Sequence, residues 1–315
     1  MACHSPLSNV SPGERIWYRL VTLHRRLTIG ETLPSNGLNV LFVAVRHYFF
    51  ERVPHLAAIR PSAFVIAPSS HGTMIVNRND YLQAGDGAYG VGCQILNTQS
   101  FDQKEVNLVL GLLSKRHQIY KKGVVALDCG ANIGVHTIEW ARHMHGWGQV
   151  HAFEAQERIY YALAGNIAIN NCSNAHATWA AVGAKPGKLD VPKVDYNLPA
   201  SYGSLELRKS SNNEDIGQPV SYDKSDTYEV PMITLDNVKL SQVDFIKIDV
   251  EGMEIDVLRG ATKILKKHRP MMLIEHIKSD KKVLVDMLRS FGYKSLNIDI
   301  NILAVHETDK IKITP

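Results

Sequence analysis

The chain has 315 residues, 45% hydrophobic and 21% charged, a composition that excludes a disordered or fibrous protein and suffices for one large domain with an extension or for two domains. Its net charge of +4 is too small to demand a nucleic-acid partner. The surplus is N-terminal: residues 1–120 carry 11 Lys and Arg against 7 Asp and Glu, whereas residues 121–315 carry 24 of each.

In chain order, "ERIWYRLVTLHRRL" reads as an amphipathic helix. "GLNVLFVAVRHYFF" is broken by Arg46 and His47 and falls short of the roughly 20 apolar residues a membrane helix needs. The opening lacks the basic-then-apolar order of a secretory signal. The four cysteines, Cys3, Cys93, Cys129 and Cys172, form no C-x-x-C pair, so neither a zinc site nor a disulfide framework is implied. The expectation is a cytoplasmic protein without a membrane span.

"SAFVIAPSSHGTMIVNRNDY" reads as short strands with turns, and "GDGAYGVGCQIL" as a glycine-dense loop in which Tyr89 and Gln94 are candidate lid residues. "FDQKEVNLVLGLLSKR" predicts a helix capped by Asp102, with Glu105 three positions on as in a capping box. A domain boundary is expected near residues 117–123. It divides an N-terminal α+β extension, 1–120, serving as a lid or a substrate or oligomer region, from a catalytic domain, 121–315.

From residue 122 onward strands and helices alternate. "GVVALDC", "GQVHAFEA", "AHATWAAVGA", "QVDFIKIDVEG" and "MMLIEHI" read as strands. "VHTIEWARHMH", "ERIYYALAGNIAINN", "EIDVLRGATKILKKHRP" and "KKVLVDMLRSFG" read as helices, and "YKSLNIDINILAVHE" as a terminal strand pair. Such alternation predicts an α/β fold with a mostly parallel sheet and an antiparallel edge. Between the third and fourth strands, about residues 185–228, lies a Ser/Asn/Asp/Gly/Pro-rich insertion, expected to carry hairpin strands around "GSLELR" and "TYEVPMITL".

The first strand runs into Asp128-Cys-Gly130-Ala-Asn132-Ile-Gly134, a small-residue turn leading into a helix. A pyrophosphate cradle wants G-x-G-x-x-G. This turn has only two of those glycines, and the Asp128 carboxylate at its mouth repels phosphate. The same carboxylate suits the ammonium of S-adenosylmethionine (SAM), and the glycines permit close backbone approach. Glu154, ending the second strand, is placed to accept hydrogen bonds from ribose hydroxyls.

"VALDCGANIGVHTIEWAR", "VHAFEA", "AAVGA", "VPMITLDN", "VDFIKIDVEGMEIDVLRGA" and "RPMMLIEH", in this order, resemble the FkbM family of SAM-dependent methyltransferases over roughly Gly123 to Val305. The resemblance implies a class I, Rossmann-like methyltransferase fold and methyl transfer to a hydroxyl oxygen of a small molecule, sugar or glycan. The family's usual proline after Phe-Glu is replaced here by Ala155. The candidate cofactor residues are Asp128, Gly130, Asn132, Gly134, His136, Glu154 and Ala181.

Ligands of open α/β sheets bind beyond the carboxyl ends of the strands, which points to Asp249, Glu251 and His276 as candidate general bases for the acceptor. As an alternative, Asp249, Glu275 and His276 hold a divalent ion; the main expectation is no metal. Ser204 is a candidate for the acceptor pocket, and acceptor specificity is expected in the insertion and the N-terminal region. Two rival readings stand beside the methyltransferase of small molecules. One is an enzyme or binding module for nucleic acid, kept alive by Arg15, Arg19, Arg25 and Arg26; the other is an NAD-dependent oxidoreductase. "DVEG" stands where amino-methylating nucleic-acid enzymes carry Asn/Asp-Pro-Pro-aromatic, which favours an oxygen acceptor.

Overall fold

A computed structural model describes residues 62–85 and 87–312. The helix expected at "ERIWYRLVTLHRRL", the apolar run of 37–50, Cys3 and the four N-terminal arginines lie outside the described residues.

The central sheet has seven strands: β5 (Val124–Cys129), β6 (Gly148–Glu154), β7 (Ala175–Trp179), β11 (Phe245–Ile248), β12 (Met271–Glu275), β13 (Tyr293–Ile298) and β14 (Asn301–His306). Their spatial order is β13-β14-β12-β11-β5-β6-β7. Every neighbouring pair is parallel except those made by β14, which runs against both β12 and β13. The inner strands are apolar nearly throughout because helices cover both faces of the sheet. "FIKI" of β11 is buried at all four positions, its single lysine included. This is the class I methyltransferase order, with the antiparallel edge that the terminal strand pair foretells.

Helices α3 (Val135–His143) and α4 (Glu157–Ile169) follow β5 and β6. After β11 the expected long helix is two, α5 (Glu254–Arg259) and α6 (Thr262–His268). The break has a tertiary cause: the Asp236 carboxylate, from the 3-10 turn Leu235–Asn237, accepts from Lys263 N at 2.9 Å and Ile264 N at 3.0 Å and so caps α6. Helix α7 (Lys281–Ser290) is capped in the ordinary way by Asp280, which accepts from Lys282 N and Val283 N.

The insertion also departs from expectation. Its strand β9 (Gly187–Pro192) pairs antiparallel with β10 (Thr227–Ile233), and β10 pairs parallel with the short β8 (Ala181–Val182). "TYEVPMI" is thus a strand, but "GSLELR" is not; only a single 3-10 turn, Tyr202–Ser204, forms there. That segment is folded inward instead. Tyr202 N donates to the Asp80 carboxylate at 3.1 Å, and Ser201 N donates to Ile216 O at 2.8 Å.

Packing does not break at the expected boundary near residue 120. Residues from Ser62 onward form one compact unit. It includes the hairpins β1 (Phe64–Ser69)–β2 (Gly72–Asn77) and β3 (Leu82–Ala84)–β4 (Gly87–Tyr89), then α1 (Val91–Thr98) and α2 (Gln103–Tyr120). "GDGAYGVGCQIL" is therefore a small hairpin leading into a helix. Buried Arg116 of α2 ties this part to the start of the central strand β11 through Asp244, and to the chain just after β14 through Asp309.

Buried Asn166 of α4 ties the β1–β2 hairpin to the same unit. Its Oδ1 accepts from Ile75 N at 2.6 Å, and its Nδ2 donates to Ile133 O at 2.8 Å. Asn166→Ala is expected to lower unfolding free energy by about 1–3 kcal/mol, because buried backbone groups lose their partners. Urea denaturation measures this, and an unchanged midpoint would refute the linkage.

Candidate active site

The carboxyl ends of β5, β6, β11 and β12 open into a cavity of about 370 Å³, within the usual size of a small-ligand site. Asp128, Gly130, Asn132, Glu154, Lys247, Asp249, Glu251 and Glu275 line it from the sheet side. Tyr89, Gln94, Asp102 and Glu105 close another wall, and Ser204, Leu205 and Glu214 of the insertion contribute a third. Both lid candidates and the acceptor-pocket candidate from the sequence thus line the cavity.

All seven candidate cofactor residues except Gly134 line it as well. Asp128 is buried, and its Oδ2 accepts from Thr137 Oγ1 at 2.6 Å while Oδ1 has no hydrogen-bond partner in the protein. Glu154 Oε1 accepts from Gln156 N at 2.7 Å and Oε2 from Asn132 N at 2.9 Å. Burial pushes its carboxyl up to about 7. Ala181 is buried in β8. Asn132 adopts a left-handed backbone (φ 50°), and its Oδ1 accepts from Ile133 N at 2.7 Å.

The glycines have a reason inside the protein. At Gly130 (φ 80°) a Cβ would stand 1.7 Å from the Asp249 carbonyl oxygen, so the turn after β5 and the exit of β11 touch backbone to backbone. At Gly134 a Cβ would meet Leu163 at 2.5 Å.

Asp102 and Glu105 do not form the expected capping box. Asp102 begins α2 with φ 48° and makes no side-chain cap. Glu105 instead turns toward the cavity: its Oε1 lies 3.1 Å from His136 Nε2, and its Oε2 accepts from Asn301 Nδ2 at 2.7 Å. Burial alone would raise the Glu105 carboxyl, but His136 and Lys247 hold it below the ordinary range.

The β11 exit concentrates charge. Lys247, whose buried ammonium is 2.6 Å from Asp249 Oδ2, stands beside Asp128 in the sheet register. Burial works against both charges, yet their attraction prevails, raising the lysine and lowering the aspartate. Glu275 is driven up by burial and by the Asp249 carboxylate next to it. Glu251 occupies a left-handed turn (φ 55°) with its Oε2 2.6 Å from Lys278 Nζ. Burial, then the Asp249 charge, pushes its carboxyl up to about 8 despite that lysine.

Lys278 also donates to Ser204 O at 2.8 Å and lies 2.9 Å from Glu214 Oε2. It thereby ties the insertion to the Glu251 turn.

His276 is not brought to the cavity; its backbone N–H donates to Ile300 O at 3.1 Å. The alternative metal set of Asp249, Glu275 and His276 therefore does not converge, and no group of three acidic, His or Cys side chains among the described residues is placed to hold an ion. Sequence reasoning missed Lys247, Glu105 and Lys278. Lys247 did leave a signal, since a lone cation in a buried strand requires a partner.

The sequence model of the methyltransferase FkbM domain matches residues 128–295, more than half of the chain. Methyltransferase 1 of Beauveria bassiana (strain ARSEF 2860) is 26% identical over 144 residues, 42% of this chain and 57% of that protein. The chain thus spans little more than half the length of this curated relative. Among solved structures, methyltransferase FkbM from Methylobacillus flagellatus KT superimposes with a TM-score of 0.41 at 16% identity, covering 58% of this chain and 44% of that one. Magnesium protoporphyrin IX methyltransferase from Synechocystis PCC 6803, solved with bound SAM, gives 0.38 at 12% identity, covering 71% and 87%.

Proposed function

The chain belongs to the methyltransferase FkbM family, and from that premise we propose that it methylates a hydroxyl oxygen of a small molecule, sugar or glycan, with Glu251 taking the proton. It is a SAM-dependent methyltransferase, which sets aside the NAD reading. The donor set suits that cofactor: a buried carboxylate oxygen without a partner at Asp128, and Glu154 at the end of β6 where ribose hydroxyls are held. When bound, the cofactor supplies an electrophilic methyl group on a sulfonium.

The residues of this chain do the rest. Asp128 holds the cationic end, Glu154 accepts from the ribose, and the walls of residues 89–105 and 201–214 exclude water. The observation that carries the oxygen acceptor is the place of Glu251, a carboxyl that lines the cavity at the β11 exit, held 2.6 Å from Lys278 Nζ and pushed up to about 8 by burial and by the Asp249 charge. A base with that affinity can take a proton near neutral pH as the hydroxyl oxygen gains its methyl group. Lys278 holds the carboxyl in place and connects it to the insertion, which supplies the surface that selects the acceptor. The balanced charge of residues 121–315 supports an uncharged acceptor over a polyanion.

The test is transfer of an isotope-labelled methyl group to a panel of alcohols, sugars, phenols, amines and RNA. Label is expected in an ether of an alcohol, phenol or sugar. Label on nitrogen, or in RNA alone, would refute the oxygen assignment.

A further inference from the structure

We infer, resting on the oxygen-methylation reading above for the hydroxyl itself, that the acceptor carries that hydroxyl on an apolar body, alkyl or aromatic. Ile277, Ile300 and Tyr89 form the rim of the cavity that selects it.

Single exposed hydrophobic side chains need no explanation, but a group of them at one opening does. Three large ones line the same cavity while standing in solvent: Ile277 is 55% exposed, Ile300 46% and Tyr89 37%. They are joined in the structure. Ile277 lies two residues beyond β12, and Ile300 lies in the turn between β13 and β14. His276 N donates to Ile300 O at 3.1 Å, which holds these two segments side by side. Tyr89 Oη donates to Glu214 Oε1 at 3.3 Å, and Glu214 Oε2 is 2.9 Å from Nζ of Lys278, the chain neighbour of Ile277. Two-residue turns between antiparallel strands ordinarily carry Gly, Asn or Asp, so the fold itself does not call for isoleucine at 300. An apolar partner that covers it does.

Size and charge decide the occupant. A volume of about 370 Å³ is near the low end of the range of roughly 300–1,000 Å³ usual for one small ligand, and SAM has to share it. The acceptor therefore reaches Glu251 with its hydroxyl end, and its remainder lies across the rim. Lys247 is engaged by Asp249 and Lys278 by Glu251, each at 2.6 Å, so neither draws an anionic acceptor. A bare sugar would turn hydroxyls toward isoleucine side chains that cannot pair with them. Buried Leu205 and Leu207 of the insertion continue the apolar lining inward. Tyr89 and Ile300 both lie outside residues 128–295, so this preference belongs to the elements that this chain adds around the matched segment.

Calorimetric titration of the full chain, loaded with the demethylated product S-adenosylhomocysteine, reads the rim without turnover. The probes are two series with a hydroxyl on a growing chain: 1-alkanols from methanol to octanol, and glucose with its methyl, butyl, hexyl and octyl glucosides. In at least one series affinity is expected to rise about three- to fourfold per methylene over the first few carbons and then level off. Ile277→Ser combined with Ile300→Ser should flatten that rise while leaving S-adenosylhomocysteine affinity unchanged, which shows that the variant is folded. Ile66→Ser, which removes an isoleucine 70% exposed and outside the cavity lining, should keep it. No binding, no rise in either series, or a rise that the double variant retains overturns the apolar rim. The labelled-methyl panel keeps the two readings apart. Label on sugar hydroxyls without length dependence sinks the rim alone, and length-dependent binding with label only on amines sinks the oxygen reading alone.

Discussion

Glu251→Gln is expected to lower kcat by about 10²- to 10⁴-fold, the usual contribution of a general base, with SAM affinity unchanged. The amide keeps the shape of the side chain but cannot accept the acceptor proton. The same substitution is expected to stabilise the fold at neutral pH, which separates loss of a base from loss of structure. A carboxyl raised from its ordinary value to about 8 binds its proton more tightly folded than unfolded. Its contribution to stability is therefore full below the unfolded value and falls as pH rises through about 4.5 to 8. Glutamine has no such dependence. The variant's advantage in unfolding free energy should grow across that window to a few kcal/mol at pH 8, at about 1.4 kcal/mol per pH unit. Denaturation at pH 5 and pH 8 reads this directly. A variant that loses turnover and stability together at both pH values would make Glu251 a structural residue and leave the proton without a base.

Glu251 also shows how far the site was legible in the sequence. Strand ends are readable because buried parallel strands are apolar runs that stop at polar residues, so Asp128, Glu154, Asp249 and Glu251 are all found at cavity positions. Their pairing is not readable in this way. Whether a carboxylate ends beside Lys247 or Lys278 depends on side chains brought in from other strands and loops. His276 is away from the cavity for a related reason: β12 ends at Glu275, and the next residue turns to Ile300, to which its backbone N–H donates. The side chain at 275 reaches the cavity and the one at 276 does not.

Local rules failed where tertiary contacts outbid them. Asp102 and Glu105 have the spacing of a capping box, but the Glu105 carboxylate is drawn to His136 and Asn301. "GSLELR" alternates like a strand, yet Asp80 captures the Tyr202 backbone and curls the segment over the cavity. In both cases the departure falls at the site, where the wall of residues 89–105 and the insertion meet the sheet. This is also why the described residues ahead of β5 pack in one unit with the sheet: they complete a cavity that the sheet alone leaves open.

Lys247→Met is the substitution expected to damage the fold most. The lysine is the buried cation of a cluster that includes Asp249, Glu105 and Asp128, and methionine matches its length without its charge. Removing one partner of a buried pair leaves the other charge uncompensated, at a cost of about 3–5 kcal/mol. The size should depend on pH. Asp249 is held below its ordinary value in the folded chain. It therefore contributes stability that is present above the unfolded carboxylate value and lost as pH falls through the folded one. In the variant that contribution is gone, and Asp249 relaxes toward the protonated form beside Glu275. The gap between the two proteins should be widest at pH 7 and shrink below about pH 4, near the unfolded aspartate value. Urea denaturation across that range measures it. A gap that stays constant with pH would mean that Lys247 matters for its packing, and that the Asp249 carboxylate is stabilised by other groups.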